Sequence, residues 1–97
     1  MYRIVFTDEA RDDLKRYRKH EQAPILDETE KQLLHQPEHQ TRNRKRLRPN
    51  QVAEWELRAG SMRVFYDVDE AEKKVQVRAI GHKAGNTLVL HGKRFDL

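Results

Sequence analysis

Cysteine is absent from this sequence of 97 residues, which also contains only 4 glycines and 3 prolines. Without cysteine the chain has no disulfide framework, no thiolate zinc site and no cysteine nucleophile. No apolar run approaches the roughly 18 residues that a membrane-spanning helix requires. The first residues include Arg3, Asp8 and Glu9, a pattern that predicts no secretory signal. We therefore expect one domain over residues 1–97, without a membrane association and located in the cytoplasm.

Charge is abundant, since charged residues make up 37% of the chain and the formal net charge is +4. The charge is distributed unevenly. Residues 1–41 contain 7 basic and 9 acidic side chains, whereas residues 42–97 contain 13 basic and 7 acidic ones. A basic excess in one part of a small domain is typical of a surface that binds a polyanion. A solvated basic surface is the alternative.

The first half of the sequence predicts a strand followed by two helices. Residues 2–6 are rich in β-forming side chains, and Thr7 is a suitable N-cap for a helix. Along this first helix, one face carries Ala10, Leu14 and Tyr17. A second helix is expected to begin near residues 22–24 and to end before Pro37. The short link between them predicts an antiparallel αα-hairpin.

The second half predicts an antiparallel meander. Strands are expected at 52–58, 62–68 and 74–80 from their alternating apolar residues, with Trp55 and Tyr66 in the core. The apolar face of this sheet must be covered, and the two helices are available to cover it. The expected class is therefore α+β. It consists of an N-terminal strand, an αα-hairpin and an antiparallel sheet of three to four strands (β-α-α-β-β-β) packed on both helices.

The remaining segments are expected to be mostly irregular. Residues 38–51 have no apolar periodicity and are predicted to form a surface loop, and residues 81–86 are predicted to form another loop. Within the C-terminal tail, 84–97, residues 87–90 have the composition of one more strand. Residues 94–97 are expected to add a little extended chain.

Three motifs follow one another in the second half: Trp55-Glu56-Leu57-Arg58-Ala59-Gly60, Arg63-Val64-Phe65-Tyr66 and Ala79-Ile80-Gly81-His82-Lys83. In order and spacing they resemble the RelE/ParE superfamily of toxins from bacterial type II toxin–antitoxin pairs, and RelE-like members in particular. The resemblance implies a small toxin that pairs with a cognate antitoxin in a hetero-oligomer. It implies for RelE-type members a metal-independent endonuclease, with no cofactor, that cuts mRNA on the ribosome. ParE-type relatives instead inhibit DNA gyrase.

The resemblance also implies candidate catalytic residues. Arg63 matches the arginine that the family uses against the scissile phosphate, and strand alternation points it away from the apolar face. His82 and Lys83 match positions where related toxins carry a histidine or basic residues. Chemically, RNA cleavage needs a base for the 2′-hydroxyl, positive charge for the phosphorane and a proton for the leaving 5′-oxygen. Arginine suits the second task and histidine suits either proton transfer.

The expected RNA-binding residues are Arg42, Arg44, Lys45, Arg46, Arg48 and Arg58. The first five lie within seven positions, and on a surface loop they would follow an RNA backbone with little sequence preference. For those five, a solubilising loop or a docking patch for acidic antitoxin residues is the alternative. For Arg58 the alternative is a bracing role. No metal site is expected, because the histidines lack a persuasive ligand spacing.

The sequence departs from the RelE pattern at several positions. Glu54 and Glu56 occupy a strand where RelE-type enzymes often carry lysines; these acids would repel RNA or act as a base in a differently organised site. Val89 stands where the family has a catalytic tyrosine, and His91 is a possible substitute. These departures keep two alternatives open: a ParE-like gyrase inhibitor, and an inactive module that only binds its antitoxin.

Overall fold

The computed structural model describes all residues from 1 to 97, which form two helices and seven strands. The helices are α1 (Asp8–Lys15) and α2 (Lys19–Leu33). The strands are β1 (Arg3–Phe6), β2 (Arg44–Arg46), β3 (Trp55–Ala59), β4 (Met62–Asp69), β5 (Lys74–Ala84), β6 (Thr87–Leu90) and β7 (Lys93–Phe95). Neither helix is both long and apolar enough to cross a membrane.

All seven strands belong to one sheet, in the order β2-β3-β4-β5-β6-β7, with every neighbouring pair antiparallel. Strand β1 pairs in parallel with the start of β5, at residues 74–77. Strand β6 pairs with the end of β5, at residues 81–84. The predicted α+β class and the β-α-α-β-β-β order are confirmed, but the sheet is larger than the three to four strands expected.

The helices begin where local chemistry favours them. Thr7 is the N-cap of α1, and its hydroxyl oxygen accepts a hydrogen bond from the Ala10 amide at 3.1 Å. Helix α2 begins at Lys19, earlier than predicted, because the Glu21 side chain accepts from the Arg18 amide at 3.0 Å and caps the first turn. Pro24 therefore lies within α2, where it removes one intrahelical hydrogen bond.

The main core lies between the helices and one face of the sheet, which we call the helix face. The helices contribute Ala10, Ile25 and Leu33, and the sheet contributes Trp55, Leu57, Val64, Tyr66, Val75, Val77 and Ile80. The predicted core position of Trp55 and Tyr66 is confirmed, since their rings stack at 6.1 Å between centroids. The Tyr66 hydroxyl donates to the Pro37 carbonyl at 2.7 Å, which fixes the chain after α2.

A bulge in β5 changes the predicted alternation. Tyr66 pairs with Val77 but its neighbour Phe65 pairs with Ala79, so Arg78 is an extra residue in β5. One inserted residue reverses which side chains point to each face. Consequently Ala79 lies on the face opposite the helices and Ile80 lies on the helix face, the reverse of the predicted arrangement.

The opposite face of the sheet, the open face, carries a second and smaller core that the sequence did not predict. Its buried members are Ala53, Phe65, Ala79, Leu88 and Leu90, with Leu47, Val52 and Phe95 packed against them. The β6–β7 hairpin and the segment before β3 supply the side chains that cover Phe65, which has no exposed surface. This second core leaves only part of the open face accessible.

A buried carboxylate lies at the edge of β5, between the part of this strand that pairs with β1 and the part that pairs with β6. Asp13, 1% exposed, accepts a hydrogen bond from the Ile80 amide at 3.0 Å through Oδ2. Its Oδ1 lies 2.7 Å from Nδ1 of His91, in the turn between β6 and β7. Helix α1 is thereby joined to both the central strand and the C-terminal hairpin.

Candidate functional site

A groove with a volume of about 900 Å³ opens on the accessible part of the open face. It is bounded by the segment 45–50, by β3 and β4, and by the chain around Phe95. Its basic lining residues are Lys45, Arg46, Arg48, Arg58, Arg63, Lys83 and Arg94, against the acids Glu56 and Asp96. We call it the cationic groove, because an excess of cations within a concave surface attracts a polyanion.

Strand alternation places the central side chains of the groove. Trp55 and Leu57 point into the main core, so Glu56 and Arg58 project from the open face. Arg58 lies directly opposite Arg63 in the β3–β4 pair. Like charges directly opposite each other destabilise a strand pair. The paired arginines therefore favour a bound anion that would neutralise both.

Arg63 is held in place by the turn between β3 and β4. Its Nη1 donates to the Gly60 carbonyl at 2.7 Å and to the Met62 carbonyl at 2.8 Å. Its Nε is buried without a hydrogen-bond partner, although the residue lines the groove and is 7% exposed. Burial lowers the pKa of the guanidinium, which nearby Glu56 opposes. The Arg63 side chain is thus fixed and desolvated, and part of its hydrogen-bonding capacity is unused.

Lys83 reaches the same groove from β5. The sequence predicts a loop at this point, but β5 continues to Ala84, and the Lys83 amide donates to the Ser61 carbonyl at 2.8 Å. Gly81, the partner of Arg63 in β5, cannot carry a side chain without a collision with the Val89 carbonyl oxygen. The Val89 backbone therefore occupies the space that a side chain at Gly81 would need, and the structure brings Arg63 and Lys83 to one groove.

His82 is not part of this groove. As a neighbour of Lys83 in a regular strand, it points to the helix face, where its Nδ1 lies 2.8 Å from the Tyr17 hydroxyl. The two rings meet edge to face, with their centroids 5.6 Å apart. His91 is likewise distant from the groove, since it contacts Asp13. The catalytic role of His82 stays a prediction, and the structure does not place it beside Arg63.

The basic segment divides into residues that line the groove and residues that do not. Instead of a continuous loop, Arg44–Arg46 forms β2 at the edge of the sheet, paired with β3. Lys45, Arg46 and Arg48 line the groove. Arg42 is exposed but does not line it.

Arg44, also predicted to bind RNA, is 9% exposed and faces α2. Its Nη1 donates to the Gln32 carbonyl at 2.8 Å and to the Gln36 carbonyl at 3.0 Å. These groups lie at the C-terminal end of α2, where unsatisfied carbonyls and the helix dipole favour a cation. The structure therefore gives Arg44 a bracing position instead of one in the groove.

Four groove residues at the C-terminus, Arg94, Phe95, Asp96 and Leu97, escape the sequence reasoning. The sequence signal for them is the His91-Gly92 pair, which predicts a turn, followed by the residues of β7. The structure shows that this turn is left-handed at both positions. That signal identifies a hairpin but not the surface that it completes. The structure contains no group of three or more His, Cys, Asp or Glu side chains arranged to hold a metal ion.

Comparison with known proteins agrees with this architecture. Residues 4–86 match the sequence model of a family described as the ParE toxin of type II toxin–antitoxin systems, parDE. No curated protein matches the chain. The fold is similar to a chain in the crystal structure of the toxin–antitoxin complex RelBE2 from Mycobacterium tuberculosis. The TM-score is 0.75 and the identity 26%, and the alignment covers 87% of this chain and 93% of that one. Because the family match spans most of the sequence, including strands β2 to β5, this chain belongs to the ParE toxin family of type II toxin–antitoxin systems, within the RelE/ParE superfamily.

Proposed function

We propose that this toxin is an endoribonuclease that cuts mRNA at the ribosome, in the cytoplasm, and thereby inhibits translation. The observation that carries the proposal is the state of Arg63. Its Nη1 is engaged by two carbonyls, and the rest of the guanidinium makes no hydrogen bond although Arg63 lines the groove. A phosphate oxygen is the acceptor that suits the unused edge of a guanidinium.

In this proposal Arg63 stabilises the phosphorane that forms during cleavage. The 2′-oxygen of the RNA bonds to phosphorus, the bond from phosphorus to the 5′-oxygen breaks, and negative charge develops on the non-bridging oxygens. A guanidinium that is already fixed and desolvated interacts with that charge without reorganising. The neighbouring cation, Arg58, adds to the same field.

Two further groove residues suit the proton transfers. Glu56 is half-buried beside Arg63 and takes the proton from the 2′-hydroxyl. Lys83 is half-buried in the same groove and gives a proton to the 5′-oxygen as it leaves. No histidine lines the groove, so this assignment differs from one based on His82. Lys45 and Arg48 bind flanking phosphates, whereas the Arg46 guanidinium lies over the Trp55 ring and pairs with Glu54.

Cleavage of a defined mRNA on programmed ribosomes, mapped by primer extension, tests this proposal. We expect Arg63→Ala to lower the cleavage rate by at least about 100-fold, the usual loss for one preorganised charge-stabilising donor. Arg11→Ala is the matched control, because Arg11 is an exposed arginine on α1. A folded Arg63→Ala protein that cleaves like the wild type would contradict the proposal.

A second variant guards against misfolding of the first, since Arg63 also binds the β3–β4 turn. The Lys83 side chain lines the groove, and the hydrogen bond of this residue to Ser61 is made by its backbone. Lys83→Gln should therefore keep the fold, with an unchanged circular dichroism spectrum, and lose cleavage. Full activity in this variant would exclude Lys83 from the reaction.

The toxin should also form a hetero-oligomer with a cognate antitoxin, as its family membership and the RelBE2 complex suggest. Charge complementarity favours an antitoxin segment rich in acidic residues that covers the cationic groove. A ligand that binds only the folded state raises its melting temperature. The complex should therefore melt at a higher temperature than the toxin alone, and identical midpoints would count against the pairing.

A second candidate function, inhibition of DNA gyrase, is favoured by the description of the matching family as ParE toxins. The absence of a histidine from the groove also fits a toxin that binds without cleaving RNA. A supercoiling assay with purified gyrase separates the candidates. Inhibition without RNA cleavage would establish the second function, and failure of both assays would leave a module that only binds its antitoxin.

A further inference from the structure

The β6–β7 hairpin gives the groove a wall that lies beyond the family match, which ends at residue 86. Strand β6 continues the sheet from β5, and β7 continues it from β6. The hairpin and the residues that follow it place Leu88, Arg94 and Phe95 on the groove. Properties of this wall therefore do not follow from the matched region.

Phe95 is the only aromatic residue that lines the groove. Of the other aromatic residues on the sheet, Trp55, Phe65 and Tyr66 are at most 3% exposed, and Phe6 packs against the main core. Phe95 is half-buried, with one side packed against the second core. It thus combines a fixed position with an accessible surface, the two features of a platform for stacking a base.

The sheet register relates this aromatic ring to the proposed phosphate site. Lys83 pairs with Leu88, and Leu88 pairs with Phe95, so the three side chains form one row across the sheet. Two strand spacings of about 4.8 Å each separate Lys83 from Phe95. A phosphate at Lys83 and a base on Phe95 can therefore belong to the same nucleotide or to adjacent ones.

We propose that Phe95 is a base-binding residue, and that the groove takes single-stranded RNA with one unpaired base stacked on this ring. The inference rests on the proposed function of the groove and specifies its substrate. Basic side chains bind the backbone, while an aromatic face binds bases of any identity. Duplex RNA is a poor ligand, because its bases are already stacked on one another.

Binding of a short 2′-O-methyl RNA that contains one 2-aminopurine tests the proposal, since this RNA lacks the 2′-hydroxyl needed for cleavage. Stacking on Phe95 should quench the 2-aminopurine fluorescence. We expect Phe95→Leu to weaken binding by about 5- to 100-fold, as for the loss of one stacked base, and to abolish the quenching. Phe95→Tyr should restore both, which a merely structural role would not explain.

Leu26→Ala provides the control, because Leu26 is an exposed apolar residue on α2, away from the groove. Equal affinity and equal quenching in wild type and Phe95→Leu would overturn the inference, while Arg63-dependent cleavage would leave the proposed function intact. Conversely, quenching that depends on Phe95 in a protein without nuclease activity would support the stacking site and reject the nuclease. A wild-type protein that binds no RNA would overturn the inference, and cleavage on programmed ribosomes would then decide the proposed function separately.

Discussion

The hydroxyl of Tyr17 and Nδ1 of His82 lie 2.8 Å apart and connect the end of α1 to the central strand β5. Burial, followed by the charge of Asp13, raises the pKa of Tyr17, so the phenol stays protonated at neutral pH. The contact explains why a histidine at a position suggestive of catalysis points to the helix face. In this structure the imidazole joins two elements of the fold.

The first prediction concerns this pair. His82→Gln should retain RNA cleavage within about threefold, and Tyr17→Phe should destabilise the protein by about 1 kcal/mol, the usual contribution of one hydrogen bond. Cleavage assays and urea unfolding of the single and double variants measure both effects. A coupled stability loss would support the structural role. A hundredfold loss of cleavage in a folded His82→Gln protein would restore the catalytic assignment.

The second prediction concerns the buried carboxylate of Asp13. Asp13→Ala leaves the Ile80 amide without an acceptor and removes the contact with His91. We expect a loss of about 2–3 kcal/mol in the free energy of unfolding, measured by urea denaturation. Asp12→Ala is the control, since Asp12 is exposed on the same helix and should change stability by less than about 0.5 kcal/mol. Equal effects would show that the Asp13 contacts are unimportant.

The third prediction separates bracing from binding within the basic segment. Arg44→Met should lower stability by about 2–3 kcal/mol, because it leaves carbonyls at the end of α2 unsatisfied. Arg48→Met should leave stability unchanged, and should weaken RNA binding and reduce its salt dependence by about one ion. Arg42→Met, outside the groove, should change neither property much. Melting curves and salt titrations distinguish the three variants.

The fourth prediction concerns acid stability at the β4–β5 turn. Hydrogen bonds from Lys73, and then from Tyr2, lower the pKa of Glu70 from 4.5 to about 2. Because the folded-state value is the lower one, this contribution to stability is present above pH 4.5 and is lost as the pH falls toward 2. Glu70→Gln should therefore melt below the wild type at neutral pH, and the difference should disappear near pH 2.

Glu72→Gln is the control for this titration, because Glu72 is an exposed acid in the same turn. Melting temperatures measured from pH 2 to pH 7 give the comparison. A difference between wild type and Glu70→Gln that stays constant over this range would contradict the fourth prediction.

The sequence predicted the fold well where local sequence preferences alone determine the structure. Thr7 caps α1, Trp55 and Tyr66 lie in the core, and strands β3 and β4 follow the alternation of apolar residues. It failed where a distant contact overrode the local pattern. Arg78 forms a bulge that no local propensity indicates, and it reverses the faces of Ala79 and Ile80.

The candidate site was predicted in part for the same reason. The orientation of Arg63 follows from strand alternation, which the sequence shows. Lys83 reaches the same groove because β5 continues through a segment where the sequence predicts a loop. The position of Arg44 depends on its pairing with Leu57, at the edge of a sheet whose extent the sequence did not reveal. The position of Phe95 depends on the β6–β7 hairpin, which packs on the second core that contains Phe65. This contact joins segments that are far apart in the chain.

The parallel pairing of β1 with β5 has a consequence for how the toxin is made. Arg3 pairs with Lys74, so the first strand to be synthesised has no partner until three-quarters of the chain exists. Pairings between such distant segments also form slowly, since a long loop must close before any contact stabilises it. The groove needs residues still nearer the C-terminus. The groove can therefore be complete only once nearly the whole chain has been synthesised.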